Sequence, residues 1–373
     1  MRLLALNCGS SSVKFAVVDA DRGERALTGI QEIAEGGAKA ALDAVVAELT
    51  GNPELIRELA GIGHRVVHGG ERFSKSIRID PEVLLGIEAV SPMAPLHNPI
   101  NLLGIRTLQR AFPEIPQVAV FDTAFHQTLP PRAYLYALPH SLYEEHGVRR
   151  YGFHGTSHRS VAQEATRRFG LSLENARIVS AHLGNGCSTA AVRGGRCVET
   201  SMGFSPLEGL VMGTRSGDVD PGLHAFLGER LGLDLAGVTR LLNRESGLLG
   251  LSGLSSDMRE LEAAEARGDS RAALALEIFC YRLAKQVASL VVPLGGLDAL
   301  IFTGGIGENS ARIREQVLEL LAPLGFTPDP EANAQHGEGS DGRISRDGRP
   351  FAAVVATDEE LLIAEEAARV LRG

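Results

Sequence analysis

The chain has 373 residues, 44% of them hydrophobic and 22% charged, with a net charge of −9. That length is too great for one compact core and suits two domains, while the acidic balance offers no basic face to a nucleic acid. No signal pattern precedes the first apolar run and no stretch is apolar enough for a bilayer span. The four cysteines (Cys8, Cys187, Cys197 and Cys280) show neither metal-ligand spacing nor a disulfide framework, so a cytoplasmic enzyme for small molecules is expected.

The first element is a hairpin, with apolar runs 3–6 and 15–18 around Asn7-Cys8-Gly9-Ser10-Ser11-Ser12-Val13-Lys14. Gly9 lets backbone approach an anion, the serines supply donors, and Lys14 adds a positive charge on the strand face of Ser12. A plain turn would use Gly and Ser as well. Next come a helix over Gly36 to Leu49 and a buried strand over Ile62 to Val67. Asn98-Pro99 reads as a capped helix start carrying Leu102, Leu103, Ile105, Leu108 and Phe112. Gln117 to Phe121 is a strand ending at Asp122, and a helix from about Ser157 to Phe169 stops at Gly170.

At residues 178–192 the strand, polar turn, strand pattern returns around His182-Leu183-Gly184-Asn185-Gly186-Cys187, which predicts an internal duplication with a ligand between the halves. Leu274 to Val291 reads as a long central helix. Leu300 to Thr303 is a buried strand running into Gly304-Gly305-Ile306-Gly307-Glu308-Asn309-Ser310 and a helix with Ile313, Val317 and Leu320 on one face. Strand, glycine turn and helix N-terminus form a nucleotide seat, or else an ordinary turn. Ala352 to Ala356 is the last strand, delivering Thr357-Asp358-Glu359-Glu360 to the final helix. The alternation is that of an α/β protein. There is no Walker loop, kinase catalytic loop, Gly-x-Ser-x-Gly elbow or His-Glu-x-x-His pair.

Functional residue types gather at predicted strand ends and turns: Arg65 and His68, Leu96-His97-Asn98-Pro99 and Asp122. Two long motifs add to them, Arg150-Tyr151-Gly152-Phe153-His154-Gly155-Thr156-Ser157-His158 and Leu207-Glu208-Gly209-Leu210-Val211-Met212-Gly213-Thr214-Arg215-Ser216-Gly217-Asp218. With them the chain closely resembles the acetate kinase (acetokinase) family of the acetate and sugar kinase, heat-shock-cognate and actin superfamily, from first strand to last helix. The resemblance implies two duplicated ribonuclease-H-like (actin-like ATPase) domains around a central cleft. One comprises residues 1–121 plus 359–373; the other, 122–358, binds nucleotide and joins the homodimer. It also implies reversible, Mg-dependent, in-line transfer of the ATP γ-phosphoryl group to acetate, giving acetyl phosphate and ADP, with Mg2+ or Mn2+ as the cation.

By the same resemblance Arg65, Asp122, His154 and Arg215 are catalytic, and Arg65 with Val67, Leu96, Phe153 and Pro206 holds acetate. Ser10, Ser12, Lys14, His182, Gly184, Asn185, Gly305, Ile306 and Asn309 hold the nucleotide, while Asn7, Asp122 and Glu359 lie at the metal. The demand itself is physical: phosphoryl transfer asks for alignment and positive charge more than covalent chemistry, and an ionised carboxylate nucleophile needs no general base. Asp358 as a helix N-cap, with Glu359 and Glu360 as ordinary first-turn acids, is the bland alternative. Cys8 and Cys187 read as buried fillers. The segment before Arg65 is compact for the family, and Cys8 stands where many members have Ser or Ala. The rivals are a propionate or butyrate kinase of the same build, and a nucleotide switch of the same superfamily. The latter is disfavoured because no client-binding segment follows the last helix.

Overall fold

The computed structural model describes residues 1–9, 12–33 and 37–373; Ser10, named above as a phosphate ligand, lies outside them. The chain divides into two compact units. Unit 1 comprises residues 1–127, 153–157 and 358–373, and unit 2 comprises 128–152 and 158–357. The first break falls at Gln127, beyond the Phe121 expected from the sequence, so Asp122 and His154 belong to unit 1.

Unit 1 is built on β1 (Arg2–Cys8), β2 (Ser12–Asp19), β3 (Arg25–Glu32), β4 (Gly61–Val66), β5 (Ile77–Arg78) and β6 (Gln117–Phe121), in the order β3-β2-β1-β4-β6-β5. The expected hairpin is the antiparallel β1–β2 pair, with Asn7 opposite Lys14. From β1 the sheet runs parallel through β4 and β6. The apolar residues of β1 are unbroken because both of its faces are covered. Leu4, Leu6 and Cys8 pack with Leu42 and Val45 of helix Gly37–Thr50 and Leu108 of helix Asn98–Ala111. Leu3 and Ala5 pack on the other side with Ile363, Ala364, Ala367 and Ala368 of helix Glu359–Arg372.

Unit 2 repeats the plan with β7 (Arg177–Leu183), β8 (Cys187–Arg193), β9 (Arg196–Thr200), β10 (Ala299–Thr303) and β11 (Phe351–Val354). Read from β9, its order β9-β8-β7-β10-β11 matches β3-β2-β1-β4-β6, again with three antiparallel strands followed by parallel neighbours. This is the expected duplication. Helix Ser270–Leu294 packs against β7, β8 and β9; the Asp269 carboxylate accepts from the N–H groups of Arg271 and Ala272, and Gly295 ends it at φ 68°. Among the described residues no helix is long and apolar enough to cross a membrane.

Four sequence expectations are corrected. The helix after His97 does begin at Asn98, but Asn98 is inside it and is no cap: its buried amide bonds the backbone of His68. Leu320 is 43% exposed, and Leu318 and Leu321 are buried in its place. The glycine turn after β10 is itself a helix, Gly304–Asn309, after which Ser310 caps helix Ala311–Leu320 through the N–H of Ile313. The final strand ends at Val354, short of the expected Ala356.

Candidate active site

Because β1, β4 and β6 are parallel neighbours, their C-terminal ends emerge along one edge, where ligands of open α/β sheets bind. Each end carries a polar residue: Asn7 on β1, Arg65 on β4, and Asp122 just past β6. The Arg65 guanidinium donates from Nε to both Asp122 oxygens (3.0 and 3.1 Å), from Nη2 to Oδ2 (2.6 Å) and from Nη1 to Asn7 Oδ1 (3.0 Å). Asn7 Nδ2 donates in turn to Glu359 Oε2 at 2.6 Å, at the mouth of the last helix. Burial would lower the Arg65 pKa, but the charge of Asp122, joined by Glu359 and Glu360, overrides it and raises it. The residue is therefore a permanent cation.

A small cavity is lined by Arg65, Asp122, His154, Thr156, Ser157 and Glu359, closed below by Val120, Leu362 and Ile363. His154 reaches it at φ 56°, a left-handed conformation uncommon for a residue with a side chain and frequent at functional sites. Its neighbour Gly155 makes this turn feasible. The Gly155 N–H donates to Asp122 O at 2.9 Å, and a Cβ there would lie 2.3 Å from that same oxygen. Asp358 is the N-cap of the last helix, accepting from the Leu361 N–H, while Glu359 faces the cavity. Glu360 is half-buried, and its pKa is raised, chiefly by burial, with Glu359 adding to the rise and Lys14 opposing it. Lys14 is exposed, and Ser12 is half-buried beside it.

The residues expected around an acetate methyl are less uniform. Val67 is 3% exposed and Phe153 is 1% exposed, with its ring edge-on to His68 at 5.6 Å. Leu96 is 40% exposed, and neither it, Val67 nor Phe153 lines the small cavity. Sequence reasoning missed what fixes Val67: Asn101 Oδ1 accepts from its N–H at 3.1 Å, while Asn101 Nδ2 donates to Cys8 O at 3.0 Å. The signal was present, since Asn98 and Asn101 share the helix face of Leu102 and Ile105, where polar side chains need a reason to be buried.

In unit 2, buried His182 closes β7 and Asn185 is exposed on the β7–β8 turn. Asn185 O accepts from the Gly213 N–H at 3.0 Å, and a Cβ on Gly213 would meet Asn185 Oδ1 at 2.1 Å, so the Gly213-Thr214-Arg215 turn is packed onto this hairpin. Gly184 holds the turn from its other end, donating to Gly186 O at 3.1 Å. Arg215 is half-buried and donates from Nη1 to Pro206 O at 2.9 Å. A second feature that the sequence did not disclose stands behind this loop. Arg150 donates to three successive carbonyls, Thr200, Ser201 and Met202, each at 3.1 Å, and to Glu208 at 2.6 Å; Tyr136 also bonds Glu208. Gly305, Ile306 and Asn309 lie together on helix Gly304–Asn309, with Gly305 and Asn309 exposed.

All four cysteines are buried as thiols. Burial pushes the thiols of Cys8, Cys187 and Cys280 up to about 12, opposed at Cys8 by Arg65, so none is a nucleophile at neutral pH.

The model of the acetokinase family matches residues 29–365. The acetate kinase of Deinococcus deserti is 55% identical over 393 residues, covering 100% of this chain and 98% of that protein. Among solved structures, the acetate kinase of Porphyromonas gingivalis superposes with a TM-score of 0.90 at 42% identity, covering 99% of each chain. A propionate kinase from Francisella tularensis gives 0.92 at 44% identity, covering 98% of each.

Proposed function

The chain belongs to the acetokinase family, and on that premise we propose that it moves the γ-phosphoryl group of ATP reversibly to acetate, giving acetyl phosphate and ADP. The observation that carries the reading is the Arg65 guanidinium, held rigidly by Asp122 and Asn7 on a cavity shared with His154 and Glu359. Three of its five N–H groups are engaged, leaving one on each terminal nitrogen, the fork that suits a carboxylate. Acetate is already ionised near neutral pH, so Arg65 orients it and no base is required. His154 donates to the phosphoryl oxygens in transit, and Arg215 adds charge that matters most when the transferring group is flattened. Ser12, Lys14, His182, Gly184 and Asn185 meet the phosphates, and Gly305, Ile306 and Asn309 meet the adenosine.

The carboxylates of Asp122 and Glu359 line the cavity and the Asn7 carbonyl stands beside them, bonded to Arg65; these hard oxygen donors fit Mg2+ or Mn2+ with most waters retained. Such an ion supplies charge neutralisation on the phosphate oxygens when bound. A cytoplasmic homodimer completes the reading. The test is acyl phosphate formation with acetate, propionate and butyrate, each with and without Mg2+; acetate-independent ATP hydrolysis at the same rate would overturn it. Preference for propionate is the second reading, favoured by the likeness to the Francisella propionate kinase.

A further inference from the structure

Six residues make a poor helix by themselves, because nucleation fixes several dihedrals for one hydrogen bond. Helix Gly304–Asn309 is nevertheless anchored at both ends by charged side chains of unit 2. At its start Glu308 folds back, and Oε1 accepts from the Gly304 N–H (2.8 Å), the Thr357 N–H (3.0 Å) and Thr303 Oγ1 (3.3 Å). At its end lies Arg314, among the largest fully buried side chains of the protein. Nη1 donates to Gly307 O and Glu308 O at 2.9 Å; Nε donates to Asn333 Oδ1 at 2.8 Å; Nη2 donates to Asn333 O at 2.8 Å and His336 Nδ1 at 3.0 Å. All five guanidinium N–H groups are thus spent on holding backbone and neighbours, an arrangement three lysine donors cannot copy. Burial lowers the Arg314 pKa to about 10, against the pull of Glu262, so the charge persists at neutral pH.

The outer side of the helix is unlike its ends. Gly305 is exposed, with open space where a Cβ would stand, and the Asn309 amide bonds back to Gly305 O. The position of this surface is set from behind. The Glu308 carboxylate also occupies the helix's first N–H, so the expected anion seat is already filled by an acid, which disfavours phosphate and suits an uncharged nucleoside.

We propose that Glu308 and Arg314 are positioning residues that hold Gly305, Ile306 and Asn309 in register for the adenosine half of the nucleotide. This rests on the assignment of those three residues to adenosine. Steady-state kinetics of the full-length enzyme test it with Glu308→Ala, Glu308→Gln, Arg314→Lys and, as reference, Asn309→Ala. Inorganic tripolyphosphate is the competing probe, since it carries the phosphates without the nucleoside. Glu308→Ala and Arg314→Lys should each raise KM for ATP about tenfold, with KM for acetate and Ki for tripolyphosphate within about twofold. Glu308→Gln keeps an acceptor oxygen and should recover most of the loss. If Asn309→Ala raises KM for ATP while Glu308→Ala and Arg314→Lys do not, the positioning role is wrong. If Asn309→Ala also leaves it unchanged, the adenosine assignment itself fails. A tripolyphosphate Ki that rises in step with KM for ATP would show damage to unit 2 as a whole and would equally overturn the proposal.

Discussion

Replacing Arg65 by alanine separates what this residue does for the fold from what it does for the reaction. The substitution deletes the donations to Asp122 and Asn7 and leaves the Asp122 side chain only 5% exposed and without its cation. A buried ion stripped of its partner loses about 3–5 kcal/mol, well beyond what a surface pair is worth. Adding Asp122→Asn to the alanine variant removes the stranded charge, so roughly 2 kcal/mol or more should return, giving a positive coupling in the double-mutant cycle. Turnover should not return with it. Loss of one electrostatic donor at the transferring group lowers kcat by on the order of 10²-fold or more, and the neutral Asn replaces none of that charge. Urea denaturation at pH 7 by circular dichroism and kcat at saturating acetate and ATP, on all four forms, give both readouts. A stability loss under about 1 kcal/mol with no recovery in the double variant would refute the pairing energetics. A kcat within a few-fold of the parent would refute the catalytic assignment.

The other predictions draw on different parts of the molecule. Burial lowers the pKa of His64 from 6.5 to about 4 despite its bond to Gln117 Oε1, so between those values the unfolded chain takes up a proton that the native state refuses. Stability should therefore be complete above about pH 6.5 and fall by about 3 kcal/mol as the pH drops to 4, and His64→Gln should flatten that slope in denaturation at pH 7 and 5. Glu359→Ala should raise the Mg2+ concentration needed for half-maximal activity much more than Glu360→Ala, because Glu359 faces the cavity and bonds Asn7; equal titration curves would remove the distinction. Gly213→Ala must push aside the exposed Asn185 amide, so ATP KM should rise several-fold while stability changes by about 1 kcal/mol or less; an unchanged KM would detach Asn185 from the nucleotide. Val67→Ala should shift relative kcat/KM toward propionate and butyrate by about 1–3 kcal/mol per methylene accommodated, and an unchanged acetate-to-propionate ratio would end its role in acyl selection.

Both hairpins were legible because strand, turn and strand are adjacent in sequence and their apolar runs sit between polar turns. β3 was not read, since Arg25–Glu32 is an edge strand with five exposed positions and little apolar signal. Asn98 looked like a cap because capping is a local pattern, whereas its actual partner, His68, depends on which strand the helix packs against. Leu320 fitted the helical period, but the burial of Leu318 and Leu321 shows that neighbours rather than the period selected the face. The four-residue set Asn7, Arg65, Asp122 and Glu359 spans nearly the whole chain. No spacing rule links it, and only the family motifs singled it out in advance. Glu308 was visible as part of a glycine turn, but its folding back onto Gly304 reverses the electrostatics inferred for that turn.

Unit 1 takes its last helix from residues made after all of unit 2. At about 5–20 residues per second, the ribosome leaves the Leu3, Ala5, Val118 and Val120 face of the first sheet open for on the order of tens of seconds. Throughout that interval the nascent chain has an exposed apolar sheet and lacks Glu359, the residue that completes the polar set with Asn7. Closing the core and pairing Asn7 with Glu359 are thus one late event in synthesis, so chains stalled short of residue 359 lack both the cover of this sheet face and the partner of Asn7.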